Sequence, residues 1–315
     1  MSQVVGARAG LVLAVLSAAT FGTSGTFATT LIDTGWSAGA AVTARLLIAA
    51  LVLTVPAVVV LRGRWSLLWS SSRSVAAYGV VAVAVAQVCY FNAVQHLSVG
   101  IALLLEYLGT VLIVGWLWVR HGQRPRRLTV GGIAVVVVGL ALVLNINGHQ
   151  HIDLVGVLWG AGAAVGLATY FVVSAKSHDG IPPIAMAWAG MTVGAACLLL
   201  LGVVGALPLR ASTQDVQFLD HRMSWLVPVL GLSLVAAAFA YATGIHAAQA
   251  LGAKVASFVG LSEVLFAVVF AWVMLGQQLR PLQIVGGALV LAGVAIVRSD
   301  ETDAFTEDLV PAPVG

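Results

Sequence analysis

Runs of ~20 apolar residues, parted by short polar turns, recur along the whole chain, and each is long enough to cross a hydrocarbon core of ~30 Å as a helix. Ten can be counted: Ala9–Thr30, Ser37–Leu61, Ser74–Val94, Ser98–Val119, Leu128–Ile146, Leu154–Ala175, Pro182–Leu207, Trp225–Gln249, Ala253–Leu275 and Pro281–Val297. Turn residues mark the connectors, as in Asp33-Thr34-Gly35 and His178-Asp179-Gly180. The first run continues at full length past Phe27 and nine more follow, so it predicts an uncleaved span rather than a secretory signal.

The pattern is written twice. Gln95–Val143 returns without a gap as Gln249–Val297, at an offset of 154 residues. Trp118 recurs as Trp272, Gly122-Gln123 as Gly276-Gln277, and Arg126 as Arg280; Gly132 and Gly139 recur as Gly286 and Gly293. Five spans fall in each half. Because five is odd, the second half must enter the membrane from the opposite side. The predicted fold is an all-α membrane protein of ten transmembrane helices, built as two inverted five-helix repeats. The boundaries are 1–147 for the first repeat, 148–298 for the second and 299–315 for a tail. That tail carries Asp300, Glu301, Asp303, Glu307 and Asp308 with two prolines, and predicts a disordered acidic end. Inverted repeats recur in secondary transporters, with the substrate site near mid-membrane where the repeats meet.

Composition sharpens the class. Hydrophobic residues make up 60% of the chain, charged residues 9%, and mean hydropathy is +1.03. A soluble domain carries ~25% charged residues, so this chain cannot cover a water-facing surface. Its lysines and arginines set the orientation. With the N-terminus in the cytoplasm, the inner side holds Arg8, Arg62, Arg64, Arg73, Arg120, Arg124, Arg126, Arg127, Lys176, Lys254 and Arg298; the outer side holds Arg210, Arg222 and Arg280. Both termini are therefore expected in the cytoplasm, and the membrane is expected to be a bacterial cytoplasmic one. The longest outer connector, Pro208–Ser224, is expected to cover part of an opening. The positive charge is scattered and not interleaved with aromatics, which argues against a nucleic-acid partner. Cys89 and Cys197 sit alone in apolar runs and read as core residues.

Chemistry motifs are mostly absent: no Walker loop, metalloprotease helix or nucleophile elbow occurs, so no enzyme activity and no cofactor are expected. His149-x-His151 with Asp153 is a weak metal pattern in an outer loop. Without a nucleotide-binding module, energy must come from gradients.

Few charges fall inside the spans: Arg45, Glu106 and Glu263, with Lys254 at an inner edge. A mid-membrane charge costs at least ~2.5–3.5 kcal/mol, so it should face a partner or a wet cavity. Glu106 and Glu263 lie in repeat-partner spans, each with a glycine three residues away, Gly109 and Gly260, in reversed order. That spacing puts each pair on one helix face and predicts that both face a shared cavity. Arg45 and Glu106 lie at similar depth, which allows an ion pair or a gate. Gln87, Tyr90 and Asn92 in the third span, Tyr241 and His246 in the eighth, Trp159 and Tyr170 in the sixth, and hydroxyls of Thr23, Ser24 and Thr26 in the first complete a candidate lining. Such a lining suits a small organic molecule with polar handles. The candidate substrate residues are thus Glu106, Glu263, Gln87, Tyr90, Tyr241, His246, Tyr170 and Trp159. Glu263 and Arg45 are the candidates for coupling or gating, with protons as the candidate coupling ion and Glu263 the expected titrating group.

These residues resemble the EamA-type members of the drug/metabolite transporter superfamily. The resemblance is carried by Phe21-Gly22, Thr43-Ala44-Arg45-Leu46-Leu47-Ile48-Ala49, Leu104-Leu105-Glu106-Tyr107-Leu108-Gly109, Ser262-Glu263-Val264-Leu265-Phe266-Ala267 and the two Gly-Gln turns. It implies ten spans, with the first, third and fourth helices of each half lining a central cavity, and export of amino acids, related metabolites or toxic compounds. Thr110 and Val264 stand where the family often has proline, and Gln123 and Gln277 where it often has glutamate. The alternatives left open are an uncoupled facilitator and, from another class, a membrane enzyme acting on lipid-like substrates.

Overall fold

The computed structural model describes residues 2–121, 127–143, 153–176, 181–218, 221–244, 246–247, 259–260, 262–278 and 280–307. Apart from the single turn Ser66–Ser70, the described helices in chain order are α1 (Ser2–Gly22), α2 (Ser24–Asp33), α3 (Ala38–Leu61), α4 (Ser72–His96), α5 (Val99–Tyr107), α6 (Gly109–His121) and α7 (Arg127–Val143). They continue with α8 (Leu154–Lys176), α9 (Pro183–Val203), α10 (Leu226–Gly244), α11 (Ser262–Leu275) and α12 (Pro281–Glu307). Between α9 and α10 an antiparallel hairpin, β1 (Val216–Phe218) with β2 (His221–Met223), departs from the expected all-helical chain. The helices follow from composition: apolar segments in lipid must satisfy every backbone N–H and C=O internally.

Among the described residues, five helical stretches are long and apolar enough to cross a membrane: Arg8–Asp33, Ala38–Leu61, Ser72–His96, Ile184–Val203 and Leu226–Gly244. Arg127–Gly139, Leu154–Tyr170, Ser262–Leu275 and Pro281–Ile296 are apolar but shorter. On α3, Leu51 and Val55 are exposed while Ala50, Leu53 and Ala57 are buried, so one face turns outward to lipid and the other packs inward. α12 runs on to Glu307, past the expected boundary at 298. No proline or glycine interrupts the chain between Gly293 and Pro311, which lets the turn pattern continue. Residues 308–315 lie outside the described residues.

Packing groups the helices into two compact units, each drawing on both sequence halves: Met1–Glu106 with Asp153–Gln278, and Tyr107–Ile152 with Leu279–Gly315. In the second unit α7 lies on α12 through backbone contact at glycines. A Cβ on Gly139 would sit 2.7 Å from the Gly286 carbonyl oxygen and 2.7 Å from the Val290 nitrogen. One on Gly293 would sit 2.7 Å from the Gly132 carbonyl oxygen and 2.8 Å from the Val136 nitrogen. These contacts exchange under the 154-residue offset. As the contact climbs α7 it descends α12, so the two helices run antiparallel, as repeat partners of inverted halves should. Small residues permit this approach, and in lipid the contact itself must supply the attraction. Gly293→Leu is therefore expected to lose ~3 kcal/mol of stability, at the upper end for overpacking. Nothing lies within 4 Å of a Cβ on Gly131, so Gly131→Leu should melt like the parent in detergent. Equal melting of the two variants would refute this packing.

The first unit repeats the theme. Gly22 of α1 lies against α11, where a Cβ would meet Phe266 Cβ at 2.9 Å and the Ala267 nitrogen at 3.0 Å. Gly160 of α8 lies against Leu105 of α5. In both cases the first span of one half rests on the fourth span of the other.

Candidate functional site

The backbone departs from regular α-helix at three places in the first unit and at Leu108 in the second. The first span breaks at Thr23, between α1 and α2, and the fourth at Leu108, just beyond α5. Segments Tyr78–Val85 in α4 and Gly231–Phe239 in α10 wind as π-helix, and they are repeat partners at the common offset. A π turn moves a carbonyl off its i+4 donor, and such turns are frequent at functional sites.

Arg45 of α3 sits among the irregular segments of the first unit and is 1% exposed. Its Nη1 donates to Ser24 Oγ of α2 at 2.8 Å and to Gln87 Oε1 of α4. Its Nη2 donates to the Ala236 carbonyl of α10 at 2.7 Å, within the π segment. The Phe91 ring lies 5.8 Å from the guanidinium carbon. Four helices from both halves thus meet on one buried cation, and Nε alone of its nitrogens lacks a partner. Among the described residues the arrangement has no copy in the other half. The α9 helix carries no charged residue, and where it meets the α4 π segment it uses glycine: Gly190 and Gly194 touch Tyr78 and Gly79.

The ion pair allowed by depth between Arg45 and Glu106 does not form; neutral groups hold the guanidinium. The two residues still interact at longer range. Arg45, Glu106 and Glu263 act on one another electrostatically, and Tyr90 and Tyr241 act on all three. Tyr170 joins through Glu263 and Tyr241. Glu106 is buried at 8% exposure, near the end of α5, and Glu263 is half-buried in the first turn of α11. A turn at Leu108 separates Glu106, near the end of α5, from Gly109 at the start of α6.

Aromatic contacts support the cluster. Phe21 packs edge-on against Tyr241 with centroids 4.9 Å apart, Tyr78 and Tyr170 lie 5.8 Å apart, and the Tyr90 hydroxyl presses on Gly25. Of the residues singled out in the sequence, the structure therefore gathers Arg45, Gln87, Tyr90, Glu106, Tyr170, Tyr241 and Glu263. His246 stands apart: it is exposed, and its Nδ1 lies 2.7 Å from the carbonyl of Ala242 on its own helix. Trp159 is half-buried on α8 beside Gly160. His149 and His151 lie outside the described residues, among which no metal-holding group of three occurs. Asp153 is taken up otherwise. It accepts from the amides of Val155 and Gly156 at the start of α8 and pairs with His96 Nδ1 at 2.7 Å. Desolvation pushes the Asp153 carboxyl up, but His96 and the two amides outweigh it and hold it below the usual carboxylate range.

Comparison with known proteins decides the family. Residues 8–145 and 154–299 each match the EamA-like transporter family. The chain belongs to that family. Two curated relatives of this EamA-like chain are an uncharacterized transporter of Archaeoglobus fulgidus and the uncharacterized transporter YwfM of Bacillus subtilis. The first is 26% identical over 212 residues, covering 66% of this chain and 70% of the relative. The second is 26% identical over 224 residues, covering 69% and 72%. A protein of known crystal structure, 18% identical, superposes with a TM-score of 0.61 over 96% of this chain and 99% of its own, which shows the shared fold. The chain is thus a multi-pass membrane transporter, not an enzyme.

In this EamA-like chain the connector after α9 is pinned to the turn between α2 and α3. Ser37 N–H donates to the Arg210 carbonyl at 2.9 Å, Ser37 Oγ donates to the Pro208 carbonyl at 2.6 Å, and Trp36 Nε1 donates to the Ser212 carbonyl at 2.7 Å. Ser37 Oγ also accepts from Arg210 N–H at 3.0 Å and from Ala40 N–H, the cap of α3. One hydroxyl has one proton and two lone pairs, and all three are used. No local pattern in the sequence marks this fastening at Trp36 and Ser37.

Proposed function

We propose that the chain is a secondary exporter of small metabolites, amino acids or related compounds and drugs among them, that works by alternating access in a bacterial cytoplasmic membrane with both termini inside. The observation that carries this reading is Arg45. A desolvated cation bonded to helices of both halves, beside two glutamates from repeat-partner spans, is costly to keep in lipid unless the helices it joins must meet and part. Irregular backbone at membrane depth is tolerated where it is buried in protein or lines a wet cavity, and here it surrounds that cation. Glu106, Glu263, Gln87, Tyr90, Tyr241 and Tyr170 form the substrate site in this reading, with Arg45 the gate and protons the coupling ion.

The test is flux in proteoliposomes, with substrates first found by thermal shift over amino acids, nucleosides, vitamins and antibiotics. Gly22→Leu should abolish flux while insertion is retained, because its side chain would displace α11 beside Glu263. Single-cysteine labels at Arg64 and Arg222 should react from opposite faces. Normal flux in Gly22→Leu would remove this helix contact from the path, and same-side labelling would overturn the orientation.

A further inference from the structure

Beyond the arginine cluster, a cavity of about 450 Å³ opens where the pinned connector meets the α2–α3 turn. Its walls include Ile32, Trp36, Asn92, Gln95, Leu207 and Arg210, and none of Arg45, Glu106, Glu263, Tyr90 or Tyr241 lines it. No carboxylate lines it either. Most of its polar side chains are already engaged. Asn92 Nδ2 donates to the Val88 carbonyl at 2.7 Å, Gln95 Nε2 donates to Asn92 Oδ1 at 3.3 Å, and the Trp36 indole and Ser37 hydroxyl hold the connector.

Arg210 differs. Both its backbone N–H and its carbonyl are tied to Ser37, which fixes where its side chain begins. Its guanidinium makes no hydrogen bond or ion pair among the described residues. The cavity therefore offers one exposed cation, rooted in fixed backbone and without a partner among the described residues, an indole and aliphatic wall, and no carboxylate in its lining. A guanidinium fork binds a carboxylate through two parallel N–H···O bonds, a geometry a neutral amide cannot match.

We propose that this outer cavity is a transit site for carboxylate-bearing small molecules, with Arg210 holding the carboxylate on the way between the outer medium and the arginine cluster. The transit role rests on the transport reading above; carboxylate binding at Arg210 does not. Protein in nanodiscs is titrated with butyrate, benzoate, L-leucine and L-glutamate, and with butyramide, benzamide and L-leucinamide as counterparts lacking the carboxylate. At least one carboxylate is expected to bind, its counterpart at least 10-fold more weakly. Arg210→Gln should raise that carboxylate's Kd at least 10-fold with melting unchanged, and Arg210→Lys should restore part of the affinity. No binding by any carboxylate, or equal binding to Arg210→Gln, would overturn the site. The same ligand is then followed in proteoliposomes. Arg210-dependent binding without flux keeps the site and defeats transport, whereas flux with KM unchanged in Arg210→Gln keeps transport and defeats the site.

Discussion

Replacing Arg45 by alanine is expected to cost about 3 kcal/mol of stability and to abolish transport. Two effects oppose each other. Removing the charge relieves a desolvation cost of at least ~2.5–3.5 kcal/mol on insertion scales. Against that, Ser24 Oγ, Gln87 Oε1 and the Ala236 carbonyl lose their donor inside the protein, at ~1–3 kcal/mol for each group left unsatisfied. A cavity the size of the lost side chain adds a further ~2–5 kcal/mol, as for other large-to-alanine changes in a core. The loss wins, since Ser24 and Gln87 can turn to other partners but the Ala236 carbonyl is fixed in backbone. Arg45→Met separates the terms: it refills the volume without donors and should recover part of the stability but none of the transport. The pairing is read by double-mutant cycles. Arg45 and Gln87 should couple by ~1–3 kcal/mol, as residues in one hydrogen-bond network do. Arg45 and Glu106, which form no ion pair, should couple far less. A larger coupling for Arg45 with Glu106 than with Gln87 would overturn this account of what the arginine does.

That contrast also shows where the sequence was readable. Arg45, Gln87 and Ser24 were visible as polar residues misplaced in apolar runs, and the structure brings them together. Pairing Arg45 with Glu106 rested on depth alone. Depth counts residues along a helix axis and says nothing about which way a side chain turns around it. The Ala236 carbonyl could not be anticipated, because a backbone acceptor is freed only where the helix widens, and the run Gly231–Phe239 reads like any apolar span. The repeated glycines of α7 and α12 were legible as small residues written twice, but which glycine faces which came only with the structure. His246 shows another limit of polarity as a signal: a polar residue near a helix end can bond back to the turn before it. The fastening of the connector joins residues about 170 positions apart, as with Ser37 and Pro208 at a separation of 171, and no local pattern encodes such a pairing.

Glu263→Gln is expected to abolish uptake driven by a pH gradient, by at least 10-fold, while substrate binding is retained. Coupling to protons requires a group that gains and loses one during the cycle, and intramembrane acids are the usual relays. Glu106 and Glu263 are the candidates that share the arginine cluster. They are not placed alike. Glu106 is buried at 8% exposure near the end of α5, whereas Glu263 is half-buried in the first turn of α11. That turn is the one pressed against Gly22 beside the break in the first span, so a change at Glu263 is felt directly by a helix that must move. Glutamine keeps the size and hydrogen-bonding shape of the protonated acid but cannot release a proton. The exchange of labelled substrate across a vesicle with no gradient should therefore persist in Glu263→Gln, since binding and helix motion remain. Net uptake should cease to respond to an imposed pH difference. Glu106→Gln is the control: if it alone removes the pH response, the proton is carried on the first half of the repeat. If neither change alters the response, the cycle runs without protons and the chain is a facilitator.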